Sequence, residues 1–172
     1  MPTVEVYIWN KTSDKDVGHT AVRIGNWVYG YYPTDIDGDG AYTLNDLKNS
    51  PGVMHINSLS EFNTLYSGDA ITAFTLNPTA DQAADLEINL LGVAQNPGYY
   101  GLLGNQCTTV AYTSLQSAGF GIVNSSLMPG GIAVPPPITM GMSPSAFQAI
   151  LSSPLNSTIG PVQSSRTFTV GR

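Results

Sequence analysis

The first 32 residues contain three short segments in which apolar side chains alternate with other residues. They are residues 4–9, 19–24 and 27–32, and only Gly25-Asn26 separates the last two. A period of two is typical of a β-strand, and a glycine-asparagine pair between two such runs indicates a tight hairpin. The chain is therefore predicted to begin with a small β-sheet.

Helical patterns dominate the later part of the chain. Helices are predicted at residues 79–95, 105–117 and 143–151, further strands at 70–76 and 166–170, and a long surface loop at 124–142. Thr79 can cap the first helix, and Gln82 three residues later completes a capping box. Strands followed by helices and a final strand indicate an α+β fold, and 172 residues suit a single domain, 1–172.

Composition excludes several partners. The net charge is −6, and the six basic residues are scattered, so no surface for nucleic acid is expected. No apolar stretch reaches the roughly 18 residues of a membrane span, and the N-terminus lacks the pattern of a signal peptide. The single cysteine forms no internal disulfide. A charged fraction of only 10% is more common in secreted proteins.

Cys107 follows a glycine-bearing loop and stands near the start of the second predicted helix. The unpaired N–H groups and dipole of a helix N-terminus favour the thiolate, which is the nucleophilic form of cysteine. The side-chain amides of Asn105 and Gln106 could donate hydrogen bonds to an oxyanion. The alternative is that Cys107 is a small buried apolar residue, the commoner role of a lone cysteine.

The chain has two histidines, and His19 is the better candidate for a general base. It follows Gly18 at the start of a predicted strand, where a side chain is held firmly yet stays reachable. His55 follows the acidic segment described below. A base within hydrogen-bond reach is what a cysteine nucleophile requires.

Two segments resemble the permuted papain-fold cysteine hydrolases, the NlpC-like and PPPDE-like proteins. GHTAVRIGNWVYGYYP (residues 18–33) resembles their histidine half, and YYGLLGNQCTTVAYTSLQSAG (residues 99–119) resembles their cysteine half. The resemblance implies a papain-like antiparallel sheet packed against helices. It also implies that Cys107 is the nucleophile and His19 the general base.

Members of that family often carry a third polar residue on the strand after the histidine. This chain has Tyr29, Tyr31 and Tyr32 there instead of histidine, asparagine or aspartate. The departure implies a Cys-His dyad, or a tyrosine or backbone carbonyl that orients His19. We take Tyr31 as the candidate for that role and Gln106 as the candidate oxyanion donor.

The acidic segment at residues 35–46 follows the pattern of an EF-hand loop. Asp35, Asp37 and Asp39 occupy its first, third and fifth positions, and Gly40 occupies the sixth, where the chain turns sharply. The backbone carbonyl of Ala41 and the carboxylate of Asp46 complete the predicted ligands of a structural Ca²⁺ ion. An aspartate at the twelfth position resembles dockerin-type loops, and the alternative is an acidic turn without metal.

The predicted function is that of a cysteine amidase or endopeptidase. Bacterial members of the family that the chain resembles imply a secreted effector that cleaves peptidoglycan peptides. Such an effector would reach the periplasm of a target cell without a signal peptide, and an immunity protein would be its partner. An isopeptidase, thioesterase or lipid acyl hydrolase of the same fold is an alternative. A calcium-dependent binding module with an inert cysteine is a third, since Trp9, Trp27 and the tyrosines could bind sugar.

Overall fold

The computed structural model describes residues 2–9, 18–36, 38, 42, 44–101, 104–122, 142–158 and 160–171. Its strands are β1 (Val4–Trp9), β2 (His19–Ile24), β3 (Trp27–Pro33), β4 (Ser50–Ser58), β5 (Ala70–Leu76), β6 (Tyr99–Tyr100) and β7 (Val162–Thr169). Its helices are α1 (Leu44–Asn49), α2 (Leu59–Leu65), α3 (Ala80–Gln95), α4 (Cys107–Ser117), α5 (Pro144–Leu151) and α6 (Pro154–Thr158). The predicted α+β class is confirmed.

The strands form one seven-stranded sheet in the order β6-β4-β3-β2-β1-β5-β7, with every neighbouring pair antiparallel. The predicted hairpin is confirmed, because β2 and β3 pair across a turn in which Gly25 adopts a φ of 58°. That left-handed conformation favours glycine. β1 lies between β2 and β5, so the three earliest strands occupy the middle of the sheet.

Alternating side chains divide the sheet into two buried faces. On the first face, Val4, Val6 and Ile8 of β1 join the apolar sides of α3, α4 and α5 in the larger core cluster. On the second face, Tyr7 of β1 packs with Phe62 of α2 in a smaller cluster. The first face therefore carries the helix that begins with Cys107.

The helix ends explain why these segments are helical. Thr79 and Gln82 form the predicted capping box at the start of α3. Ser143 caps α5 through the backbone N–H of Ala146, directly before Pro144. α4 begins at Cys107, two residues after the predicted start near Asn105. Each capped helix thus starts where a side chain can satisfy a backbone N–H group.

Several elements were not predicted. They are α1, β4, α2, β6 and α6, and β7 begins at Val162 and ends at Thr169 instead of spanning 166–170. In β4, Pro51 and Gly52 both pair in the sheet near its edge, where proline is tolerated. Of the predicted loop at 124–142, only Met142 lies within the described residues. Among the described helices, none has the length and apolar character needed to cross a membrane.

Glu5 is a buried carboxylate on the second face of the sheet. Its two oxygens accept hydrogen bonds from Arg23 Nη1 at 2.7 Å and from Arg166 Nη2 at 2.8 Å, and Tyr7 Oη donates at 3.0 Å. Burial by itself raises the pKa of Glu5, but these hydrogen bonds and the charge of Arg166 outweigh it and lower the pKa below its ordinary value. The cluster joins β1 to β2 and β7.

Replacing Glu5 with glutamine is expected to lower the free energy of unfolding by about 2 kcal/mol at neutral pH, because hydrogen bonds to a charged group are lost. Since the folded-state pKa is depressed, this stabilisation is present above the ordinary glutamate pKa and disappears as the pH falls through the folded value. Urea unfolding at several pH values measures both effects. Asp85→Asn, at an exposed carboxylate on α3, should change stability by less than about 0.5 kcal/mol. An equal loss in both variants would contradict the assignment.

Candidate active site

The first turn of α4 packs against the start of β2. The Oγ1 atoms of Thr20 and Thr108 form a buried hydrogen bond of 2.9 Å across 88 residues of sequence. Thr20 follows His19, and Thr108 follows Cys107. This contact therefore brings the two segments that carry the predicted nucleophile and base together.

Cys107 lies where β2 and β3 part. Their pairing runs from Ile24–Trp27 to Ala21–Gly30 and stops there, while β3 continues to pair with β4 as far as Pro33. The backbone N–H of Thr20, one residue beyond the last pair, donates towards Cys107 Sγ. The sulfur thus takes the place that a carbonyl oxygen of β3 would occupy in a continuous ladder.

Cys107 is only 3% exposed. Tyr100 Oη donates to Sγ at 3.8 Å, and Thr108 Oγ1 also lies 3.8 Å from the sulfur. Burial raises the pKa of the thiol, and the N–H and O–H groups that point at the sulfur offset this only in part. The prediction that the helix N-terminus lowers the pKa of Cys107 is therefore wrong for this structure, in which the thiol is buried.

Alkylation of Cys107 by iodoacetamide is expected to be at least about tenfold slower in the folded protein than in urea at pH 7.5, because the folded thiol is buried and protonated. Since the folded pKa is raised, the rate should keep increasing as the pH passes the ordinary cysteine pKa. Rates from mass spectrometry across the pH range measure this. If the folded thiol reacts as fast as the unfolded one at neutral pH, Cys107 is not buried as described.

His19 stands at the first position of β2 and is 8% exposed. Its ring stacks on Tyr32, with centroids 4.1 Å apart, and meets Trp9 edge-on at 4.7 Å. Tyr32 Oη hydrogen-bonds Tyr66 Oη, and the Tyr66 ring in turn contacts Trp9. The imidazole is therefore held among aromatic rings on the second face of the sheet.

Gln106 and Tyr31, the other predicted catalytic residues, lie near Cys107 but have other partners. Gln106 Nε2 donates to the carbonyl of Met142 at 3.0 Å, and its side chain does not cap α4. Tyr31 Oη donates to the carbonyl of Pro97 at 2.6 Å and accepts from Asn105 Nδ2 at 2.8 Å. Both side chains brace the segments around the start of α4, and Asn105 is occupied in the same way.

Tyr100 was not predicted as a neighbour of the site, and Tyr32 was named only as one of three tyrosines on its strand, with Tyr31 preferred. Tyr32 lies over Gly30, where an added Cβ atom would come within 2.6 Å of Tyr32 Cε2. A glycine two positions before a tyrosine in one strand was the available signal, because the two residues share a face. His55 also stacks on Tyr32, with centroids 4.8 Å apart, and burial lowers the pKa of His55.

The acidic segment is described only in part. Asp37, Asp39 and Ala41 lie outside the described residues. Asp35 Oδ1 accepts the N–H of Gly38 at 2.7 Å, and the buried Asp46 accepts the N–H of Ile36 at 3.0 Å through Oδ1. Within the described part, no three acidic, histidine or cysteine side chains form a metal-binding group. α1 begins at Leu44, the tenth position of the predicted loop.

Comparison with known proteins gives no relative on which to base an identity. The chain matches no protein-family model, no curated protein and no solved structure.

Proposed function

We propose that this protein is a papain-like cysteine hydrolase in which Cys107 is the nucleophile and His19 the general base. One observation carries the proposal: Cys107 is the first residue of α4, and its sulfur receives the backbone N–H of Thr20, which directly follows His19. A helix start packed against a strand that carries a histidine is the arrangement that the resemblance implies. Because the thiol is buried, substrate binding has to expose it before it can react.

The proposed reaction is acyl transfer in two steps. His19 takes the proton of Cys107 as the sulfur attacks an amide carbonyl, and free N–H groups in the first turn of α4 stabilise the oxyanion. The C–N bond then breaks, and the amine leaves with the proton from His19. Water, activated by His19, hydrolyses the thioester to a carboxylic acid and restores the thiol. A raised thiol pKa is compatible with this sequence, since the proton moves during attack.

The substrate that we propose is the peptide of peptidoglycan, cleaved in the periplasm of a target cell by an effector that an immunity protein would neutralise. The test is to digest purified peptidoglycan and to identify the muropeptides by mass spectrometry. A single new peptide terminus, absent from digests with Cys107→Ala, is expected. Intact muropeptides together with turnover of a thioester or lipid ester would assign the site to another acyl hydrolase.

The second candidate function is a binding module with an inert cysteine. Two observations favour it: the thiol is buried, and a cavity of about 370 Å³ lies at the opposite end of β2 from His19, beside the half-exposed Trp27. Such a module would bind sugar with Trp27, and Trp27→Ala would abolish binding while Cys107→Ala would not. If Cys107→Ala loses peptidoglycan cleavage and Trp27→Ala does not, the protein is the enzyme and not the binding module.

We also propose a structural Ca²⁺ ion in the loop at residues 35–46. The buried carboxylate of Asp46 already accepts the N–H of Ile36, so the two ends of the loop meet, and α1 starts where the exiting helix of an EF-hand starts. The proposed ligands are Asp35, Asp37, Asp39, the Ala41 carbonyl and Asp46.

Calcium removal is expected to lower the unfolding free energy by about 2.7 kcal/mol, relative to free calcium at one hundred times its dissociation constant. Thermal unfolding in CaCl₂ and in EGTA measures the difference, and titration calorimetry measures binding directly. Asp46→Asn should abolish the calcium dependence. A melting temperature that is the same in both solutions would refute the calcium site.

A further inference from the structure

We propose that the face of Tyr32, together with Trp9, replaces the third polar residue of a catalytic triad by positioning His19 and stabilising its protonated form. This inference rests on the proposed function, because it assigns the orienting role in that same site. It gives the role to Tyr32 instead of Tyr31, the tyrosine next to it in sequence.

Four side chains, the imidazole included, form a closed cycle of contacts, and we call them the aromatic enclosure: Trp9, His19, Tyr32 and Tyr66. The centroid distances are 4.7 Å from Trp9 to His19, 4.1 Å from His19 to Tyr32 and 5.4 Å from Tyr66 to Trp9. The hydroxyl–hydroxyl hydrogen bond between Tyr32 and Tyr66 closes it. Each member thus contacts two others, so the orientation of the imidazole depends on rings from β1, β3 and the end of α2.

The ring of Tyr32 has little freedom to move. Its edge lies over Gly30, its hydroxyl is bonded to Tyr66, and His55 stacks against it from β4. Only 8% of Tyr32 is exposed. A ring fixed on several sides can fix the imidazole that stacks on it, which a flexible or solvated tyrosine could not do.

The enclosure also has the right electrostatic character. After His19 accepts the thiol proton, the imidazolium lies against the π-face of Tyr32, and such a face attracts a cation, more strongly where water is excluded. Burial and Tyr66 raise the pKa of Tyr32, and Cys107 adds to this, so Tyr32 lies within electrostatic range of the thiol as well as in contact with His19. Tyr31 cannot provide the same face, because its ring stacks on Tyr100, among the side chains of the first face.

A double-mutant cycle tests the coupling between Tyr32 and His19. The measurement is acylation by p-nitrophenyl acetate, followed through nitrophenolate release and corrected with Cys107→Ala. We expect His19→Ala to slow acylation at least tenfold in the native background but less than twofold in the Tyr32→Leu background. In the Tyr29→Phe background, where the lost hydroxyl is bonded to Glu87, the full effect of His19→Ala should remain. A full effect of His19→Ala in Tyr32→Leu would overturn the inference.

Gly30→Ala provides a second variant in case Tyr32→Leu does not fold. The new methyl group would push the Tyr32 ring out of its position without deleting it. Coupling should fall as in Tyr32→Leu, and coupling retained in Gly30→Ala would count against the inference.

Proton NMR separates failure of the inference from failure of the proposed function. Stacking on Tyr32 should shift the His19 ring protons upfield, and His55→Gln assigns the two histidines. Tyr32→Leu should move the His19 signals downfield, whether or not Cys107 is a nucleophile. If His19→Ala has no effect on acylation, the proposed base is wrong. If the His19 signals do not move in Tyr32→Leu, the positioning role of Tyr32 is wrong.

Discussion

Replacing Cys107 with serine is expected to reduce peptidoglycan cleavage at least about 1000-fold, because a serine hydroxyl is a far weaker nucleophile than a thiol at neutral pH. In the proposed reaction the attacking atom is a sulfur that contacts the Thr20 backbone and Tyr100 at the first residue of α4. An oxygen at the same position sits on a shorter bond and ionises much less readily. Muropeptide release per hour, followed by mass spectrometry, measures the loss.

The same variant should keep its fold. A serine hydroxyl can accept the hydrogen bonds that now reach the sulfur, so the melting temperature should stay within a few degrees of the native value. His19→Ala is expected to lose most activity as well, but to retain the rapid reaction of Cys107 in urea. Cleavage that survives in Cys107→Ser at the native rate would remove Cys107 from the mechanism.

Replacing Gly52 with alanine is expected to destabilise the protein by about 3 kcal/mol or more, because the new methyl group has no room. An ideal Cβ atom on Gly52 would lie 1.9 Å from Tyr31 Oη and 2.4 Å from Tyr31 Cζ. The Tyr31 ring crosses Gly52 to donate to the carbonyl of Pro97, and Asn105 holds its hydroxyl from the other side. Moving the ring therefore breaks both hydrogen bonds next to the start of α4.

Gly92→Ala is the matched control. Gly92 lies on the exposed side of α3, with no atom within 4 Å of an added Cβ. An alanine in a helix interior is more favourable than a glycine by about 1 kcal/mol, so this variant should be more stable than the native protein. Urea unfolding of both variants measures the contrast. Equal and small effects would mean that Tyr31 is not packed over Gly52.

The elements that local patterns encode were predictable from the sequence. The hairpin of β2 and β3 follows from alternation around Gly25-Asn26, and β5 spans residues 70–76, as predicted. The start of α3 follows from Thr79 and Gln82. In each case the signal lies within about one element length, where backbone geometry and side-chain hydrogen bonds act directly.

The elements that depend on distant partners were not predictable in this way. β4 contains a proline and a glycine, and the Tyr31 ring of β3 lies over Gly52 where the two strands pair. The burial of Cys107 depends on Tyr100 and on a strand that lies 88 residues earlier, measured from Thr20 to Thr108. The thiol pKa was predicted from the helix start alone, while desolvation depends on everything that covers the sulfur.

The parting of β2 from β3 has a consequence for hydrogen exchange. The amide proton of Thr20 is held by a sulfur atom on another element instead of by the neighbouring strand. Its protection therefore reports the seating of α4 and not the integrity of the sheet. When α4 lifts, this amide exchanges with solvent while those of Ala21 and Val22 remain protected. One backbone amide thus distinguishes local opening of the site from global unfolding.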